Sequence, residues 1–238
     1  MKSILEFGAE LEISDWASFY KSTKFIQGQS AKLIPAGKLN LGQRKQHLLE
    51  QATGDWILIL DSDELVSPEL RKEIREILKH PPKGISGFRI PYQNYVFGKP
   101  VYYGGENYSK IRLFRRGKGR VTPVPIHEEV IVEGKIGTLS GKIHHYSYRT
   151  PIQVFRKFTR YAILLGKGIR ERRERVTLRK LFLDPIHMIW ARYVKDQGYK
   201  DGWRGFVLAV AFGYMEAGMY WCAILDRRQG SQKRPGID

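Results

Sequence analysis

The stretch Gly54-Asp55-Trp56-Ile57-Leu58-Ile59-Leu60-Asp61-Ser62-Asp63-Glu64 constrains this chain more than any other. Trp56 to Leu60 is an uncharged apolar run, and Asp61, Ser62, Asp63 and Glu64 follow at once. Ser67-Pro68-Glu69 then reads as a helix start: Ser caps, Pro fits the first helical position, and Glu suits the positive helix end. Leu70, Ile74, Ile77 and Leu78 recur at helical spacing. The pattern predicts a buried strand, an acidic tip and a helix that returns along a sheet. In open α/β sheets, ligands sit at the carboxyl ends of such strands.

Two carboxylates one residue apart, where a strand breaks into a loop, can converge on one cation. Mg²⁺ and Mn²⁺ prefer oxygen and are commonly held by one or two carboxylates plus substrate phosphates. That chemistry describes a nucleotide-diphosphate site. On the motif alone a plainer reading stands beside it: solvated acids capping the turn before Pro68.

With 238 residues, 42% of them apolar, the chain has enough material for one large domain, or for one domain plus an appendage. Its single cysteine, Cys222, rules out an internal disulfide and a multi-cysteine metal site. The opening Met-Lys-Ser-Ile-Leu-Glu-Phe-Gly lacks a long apolar core, so no signal peptide is read, and the expected compartment is cytoplasmic. The net charge is +17, with Lys and Arg dense between Arg156 and Lys180 and again at Arg227, Arg228, Lys233 and Arg234. Such a charge attracts nucleic acid, an acidic membrane face or phosphorylated ligands, and does not by itself choose among them.

Residues 2–7 read as the last turns of a helix stopped at Gly8, and 9–13 as a half-exposed strand. Residues 14–40 show no strong period. Leu41 to Ala52 reads as a helix with Leu48, Leu49 and Ala52 on one side and Arg44-Lys45 facing either solvent or a phosphate. Alternating strands are expected near 87–91, 110–116, 135–139 and 142–149. If His144 and His145 lie on a strand they point to opposite faces, so at most one reaches a site. Thr150-Pro151 starts a second capped helix whose inner stripe is Ile152, Phe155, Thr159, Ala162 and Leu165. Leu178, Leu181, Phe182, Ile186, Ile189, Trp190 and Tyr193 form another stripe, kinked at Pro185. Asp201 is placed to cap a third helix over 202–225. That helix is nearly long enough to span a bilayer, but Glu216 and scattered glycines favour an interfacial role or packing. The domain division read from this is 1–149, 150–228 and a loose tail, 229–238.

These residues together resemble a family 2 glycosyltransferase of the GT-A fold, and within it the bacterial branch with lipopolysaccharide core β-glycosyltransferases. The resemblance is carried by Ala52-Thr53-Gly54-Asp55-Trp56 through Asp61-Ser62-Asp63-Glu64 and by Ser67-Pro68-Glu69-Leu70. Arg112-Leu113-Phe114, His127-Glu128, His145-Tyr146-Ser147-Tyr148-Arg149-Thr150 and Lys200-Asp201-Gly202-Trp203-Arg204-Gly205-Phe206 extend it. It spans roughly residues 41–225. The family normally opens with a strand ending in a Lys-Asn-Glu-like motif and a second ending in an Asp-Ser-Gly-Ser-Thr-Asp-like motif. Neither occurs in this sequence. The expectation is therefore an α/β chain with a Rossmann-like, mostly parallel GT-A sheet, incomplete at its N-terminus and followed by a helical C-terminal region.

The resemblance implies an inverting transfer of a sugar from a nucleotide-diphosphate donor to a glycolipid or cell-envelope polysaccharide acceptor. It implies that Asp61 and Asp63 hold Mg²⁺ or Mn²⁺, with His145 a further metal or phosphate ligand. Glu128 becomes the catalytic base, with Glu129 its nearby rival, and His127 orients it or touches the diphosphate. Arg44, Lys45 and Arg112 are the expected phosphate contacts. The basic helical region would sit on an anionic membrane surface, at the inner face of the plasma membrane. Two other readings use the same features. A non-catalytic remnant would keep only the association with membrane or partner. A metal-dependent nuclease would use the acids and the charge, but no recognition helix, zinc site or aromatic–basic RNA signature supports a nucleic-acid partner, and none is expected.

Overall fold

The computed structural model describes residues 11–13, 31–33, 39–123 and 128–232. The helix read over 2–7 with its stop at Gly8, and the last residues of the tail, lie outside the described residues. Strands β1 (Leu11–Ile13) and β2 (Ala31–Leu33) pair in parallel. The first meets the expected strand; the second corrects the reading of 14–40 as wholly irregular. Helix α1 (Leu41–Gln51) begins with a capping box. The Asn40 side chain accepts from the Gln43 N–H and the Gln43 side chain accepts from the Asn40 N–H, each at 2.9 Å.

Strand β3 (Trp56–Leu58) leads through the turn at Asp61 to a short strand β4 (Glu64–Val66) and then helix α2 (Pro68–Lys79). Ser67 caps α2 as expected, accepting from the Leu70 N–H at 3.2 Å, and Leu70 and Ile74 are buried. Leu78, expected on the same face, is exposed. Then come β5 (Ile85–Val96), β6 (Lys99–Val101), β7 (Ser109–Arg115), β8 (Gly119–Val121), β9 (Val130–Val132), β10 (Lys135–Thr138) and β11 (Ile143–Tyr148).

Among the described residues the main sheet runs β3-β7-β5-β11-β4, with β6 and β10 also paired to β5. The α/β class is as expected, but the sheet is mixed rather than mostly parallel. β5 pairs with β10 in parallel, whereas β3 with β7, β5 with β7, β5 with β6 and β4 with β11 are antiparallel. One physical reason is the two-residue turn Phe97-Gly98, with φ of 51° and 76°. Positive φ at both positions folds the chain straight back, whereas a parallel partner needs a long crossover. β8 and β9 form a separate antiparallel pair.

The described residues fall into two compact units, the first taking the chain up to Gln93 and Tyr108–His145, the second Asn94–Asn107 and everything from Tyr146. In the first unit one core gathers Val66, Leu70, Ile74, Phe88, Ile90, Leu113 and Ile143, with Trp56, Leu58 and Leu60 packed against it. Ile57 and Ile59 pack on the other side, against Leu49, Phe114 and Val121. The apolar run is thus covered on both faces by alternation, although its residues are half-buried rather than sealed.

The second unit holds α3 (Pro151–Glu171), α4 (Leu178–Trp190), a π-helical turn (Ala191–Lys195), a 3₁₀ turn (Gly198–Asp201) and α5 (Trp203–Gln232). Glycines set the helix contacts. A Cβ on Gly166 of α3 would lie 2.6 Å from the Met219 carbonyl oxygen, and one on Gly213 of α5 would lie 2.5 Å from Ile189 of α4. These close approaches turn Val154, Phe158, Ala162 and Ile169 inward on α3, so the expected stripe is rotated and Ile152 is exposed. On α4 the inward residues are Leu181, as expected, and Pro185, while Leu178, Phe182, Ile186 and Trp190, expected on the same stripe, face out. Asp201 does not cap α5: its carboxylate accepts from the Tyr102 and Tyr103 N–H groups at 3.0 and 2.9 Å.

Candidate active site

The end of β3 places Asp61 where three other segments of the first unit converge. Ile59 still pairs with β7, its N–H donating to the Arg112 carbonyl at 2.9 Å, so the next residues leave the sheet beside the Arg112 side chain. α1 contributes Lys45 and the segment before β9 contributes Glu128. The Lys45 ammonium sits 2.7 Å from Asp61 Oδ1 and 2.7 Å from Glu128 Oε1. The expected base and the first expected metal ligand, 67 residues apart in sequence, thus share one buried cation.

Behind Asp61 lies a second layer. Arg112 Nη2 donates to Asp61 Oδ2 at 3.1 Å and to Glu64 Oε1 at 2.9 Å. The Asp61 N–H donates to Glu64 Oε2 at 3.0 Å, the Tyr92 hydroxyl donates to Glu64 Oε1 at 2.9 Å, and Arg112 Nε also donates to the Tyr92 oxygen. Arg112 and Glu64 are almost fully buried. A buried charge persists only when paired and hydrogen-bonded, and here each is. Burial alone would raise the pKa of Asp61, but Arg112 and Lys45 outweigh it and hold the carboxyl at about 2. Burial alone would lower the pKa of Arg112, but Glu64, Tyr92 and Asp61 raise it beyond its usual range. Burial pushes the Tyr92 hydroxyl well above its usual pKa, so it stays protonated and donates.

Asp63 lies past the turn and meets His145 of β11, His145 Nε2 to Asp63 Oδ2 at 3.4 Å. Pairing of β11 with β4 sets this geometry, His145 lying opposite Glu64 and His144 opposite Leu65. Only one histidine reaches the acids. The other faces away, and the pocket it lines includes Ser67, Glu69 and Lys142.

Of the expected phosphate contacts, only Lys45 has its charge at the centre of this cluster. Arg44 Nε donates to the Leu39 carbonyl at 2.8 Å, and Arg112 is buried on its carboxylates. His127 lies outside the described residues. Glu64 and Tyr92 were not singled out from sequence. The signal for Glu64 was its spacing from Val66: both are buried in β4 with exposed Leu65 between them, so Glu64 points the same way as a core residue. Tyr92 carried no comparable signal.

Asp61, Glu64 and Glu128 share Lys45 and Arg112, Lys110 is close enough to feel Glu128 and Glu64, and Asp63 stands beside His145, so the cluster is rich in carboxylate oxygens. That donor chemistry suits a hard divalent ion. Asp61 is engaged by Lys45 and Arg112, and Asp63 by His145. Among the described residues no three His, Cys, Asp or Glu side chains are placed to hold a metal ion together. A site that takes one or two protein ligands and completes its shell with phosphate and water does not need three.

Comparison with known proteins gives the same class. The sequence model of Glycosyl transferase family 2 matches residues 16–129, which include Asp61, Asp63 and Glu128. The chain is also similar to the lipopolysaccharide core biosynthesis glycosyltransferase LpsC of Rhizobium meliloti (strain 1021), with 27% identity over 203 residues, 82% of this chain and 72% of that protein. The chain is a glycosyltransferase. Its residues 16–129 match the model of family 2 of that class, and the mixed α/β architecture agrees with a GT-A fold.

Proposed function

We propose that this glycosyltransferase moves a sugar from a nucleotide-diphosphate donor to a hydroxyl of a glycolipid or cell-envelope polysaccharide, with inversion at the anomeric carbon. Glu128 takes the acceptor proton as the acceptor oxygen attacks that carbon, and the nucleotide diphosphate departs with the bonding electron pair. Lys45, between Asp61 and Glu128, holds the two carboxylates together and offers a positive charge to the diphosphate. Arg112, Glu64 and Tyr92 fix Asp61 so that the acidic turn does not reorganise during transfer. Asp63 and His145 would hold Mg²⁺ or Mn²⁺, and such an ion when bound would offset the charge developing on the leaving diphosphate. The likeness to a lipopolysaccharide core enzyme supports an envelope saccharide as acceptor, on the cytoplasmic side of an anionic membrane surface.

The observation that carries this reading is the single ammonium shared by Asp61 and Glu128. It brings the acidic turn and the base into one constellation, although they are distant in sequence. The test is Glu128→Gln, assayed for transfer from a panel of nucleotide sugars. General-base loss costs roughly 10²–10⁴-fold in turnover. Wild-type turnover by a folded Glu128→Gln protein would remove Glu128 from this role. Stripping divalent ions with a chelator is expected to abolish transfer and Mn²⁺ to restore it.

A further inference from the structure

Helix α4 is apolar on two sides. Leu181 and Pro185 are buried in the second unit, yet Leu178, Phe182, Ile186 and Trp190, spaced every fourth residue, are 77%, 55%, 63% and 50% exposed. At 100° per residue these four drift only gradually around the helix, and Leu183, 59% exposed, lies on their flank. A helix whose outer face is meant for water carries polar residues there. A contiguous exposed apolar patch of this kind marks an interaction surface.

We infer that this outward face of α4 docks on an anionic lipid bilayer. The inference deepens the membrane-surface reading given above and rests on it. The charge around the stripe selects the occupant. Arg172, Arg173 and Arg175 are exposed just before the helix, and Arg179 stands on its outer face with its side chain 81% exposed; Arg172 lies 3.8 Å from Glu174 and Arg179 3.6 Å from Asp184, but basic residues still outnumber acids over 170–184. Two copies of the chain meeting through this face would bring these arginines against one another. A surface of acidic headgroups over acyl chains matches both the charge and the apolar stripe. Trp190, apolar with one polar N–H, suits the boundary between the two.

The placement also separates α4 from the longest apolar segment. Trp203–Leu225 of α5 is long and apolar enough to cross a membrane. Its Gly213 and Gly218, however, are packed against Ile189 of α4 and Ala162 of α3. α5 packs through these glycines against both neighbouring helices but also exposes Phe206, Trp221 and Leu225, whereas the exposed apolar stripe of α4 is the one that begins beside the arginines.

The test is flotation of the full chain with vesicles of phosphatidylcholine alone or with phosphatidylglycerol added, across a salt series. Binding to the anionic vesicles only, weakening with salt, is expected. Phe182→Ser with Ile186→Ser should weaken it at least tenfold. Arg175→Glu with Arg179→Glu is a second, independent variant. Each basic residue near such a surface is worth about five-fold, so removing two should cost at least about 25-fold. Equal binding to neutral vesicles, or wild-type binding by both double variants, overturns the inference. So does a wild-type dimer that Phe182→Ser with Ile186→Ser dissolves while vesicle binding persists. Flotation uses no sugar donor, so a chain that floats but transfers nothing supports the docking face and counts only against the chemistry proposed above.

Discussion

Replacing Arg112 by Met would leave Glu64 buried with its charge unmatched and would release Asp61 from one of its two cations. Removing one partner of a buried ion pair costs about 3–5 kcal/mol, and urea denaturation of Arg112→Met should show a loss of that size. The depressed pKa of Asp61 makes a second prediction. Its folded value of about 2 lies below the ordinary 3.8, so its contribution to stability is complete above 3.8 and is lost as the pH falls from there through about 2. Asp61→Asn should flatten the pH dependence of the urea midpoint in that window and lower the midpoint itself near neutrality, where the contribution of the charged carboxylate is complete. Asp61, Asp63 and Glu128 were legible in the sequence because motif and resemblance pointed at them. The roles of Glu64 and Tyr92 were not, because a buried acid reads like a loop acid until strand pairing shows which way it turns.

At the scale of elements, Ser67 joins two pieces of structure. Its hydroxyl caps α2 and also accepts from the Lys142 N–H at 3.3 Å, just before the strand that carries His145. Ser67→Ala should cost about 1–2 kcal/mol, as cap losses do, and hydrogen exchange should quicken in the first turn of α2. The cap, Pro68 and the Leu70–Ile74 stripe were readable because they are local. The antiparallel ladder was not, since it depends on which distant strands meet. The faces of α3 and α4 were misjudged for a related reason. Apolar periodicity shows that a helix has an apolar side, but when both sides are apolar only the neighbours decide which is inward. Gly166 and Gly213 made that choice here, by admitting a helix where any side chain would block it.

The molecule as a whole divides its labour: the first unit holds the acids and their cations, and the second holds α3, α4 and α5 and much of the +17 charge. Enlarging a helix contact in the second unit should therefore leave the site of the first intact. A Leu at position 166 would meet Met219 and Cys222 at distances no side chain tolerates, and overpacking of this kind costs about 1–3 kcal/mol. Gly166→Leu is expected to lose exchange protection in α3 and α5 while β5 and β7 keep theirs; uniform loss across both units would contradict the division. The π-helical turn Ala191–Lys195 is the last feature with such reach. It widens one turn by a residue, and with that spacing Arg192 donates to the Gly104 carbonyl and to Glu106, anchoring the loop that Asp201 grips from its other end. The segment behaves as a gear with one extra tooth. Exchange of side chains leaves its timing intact, whereas deletion of the extra residue would close it to an ordinary α-turn and lose the spacing that sets Arg192 on Gly104 and Glu106.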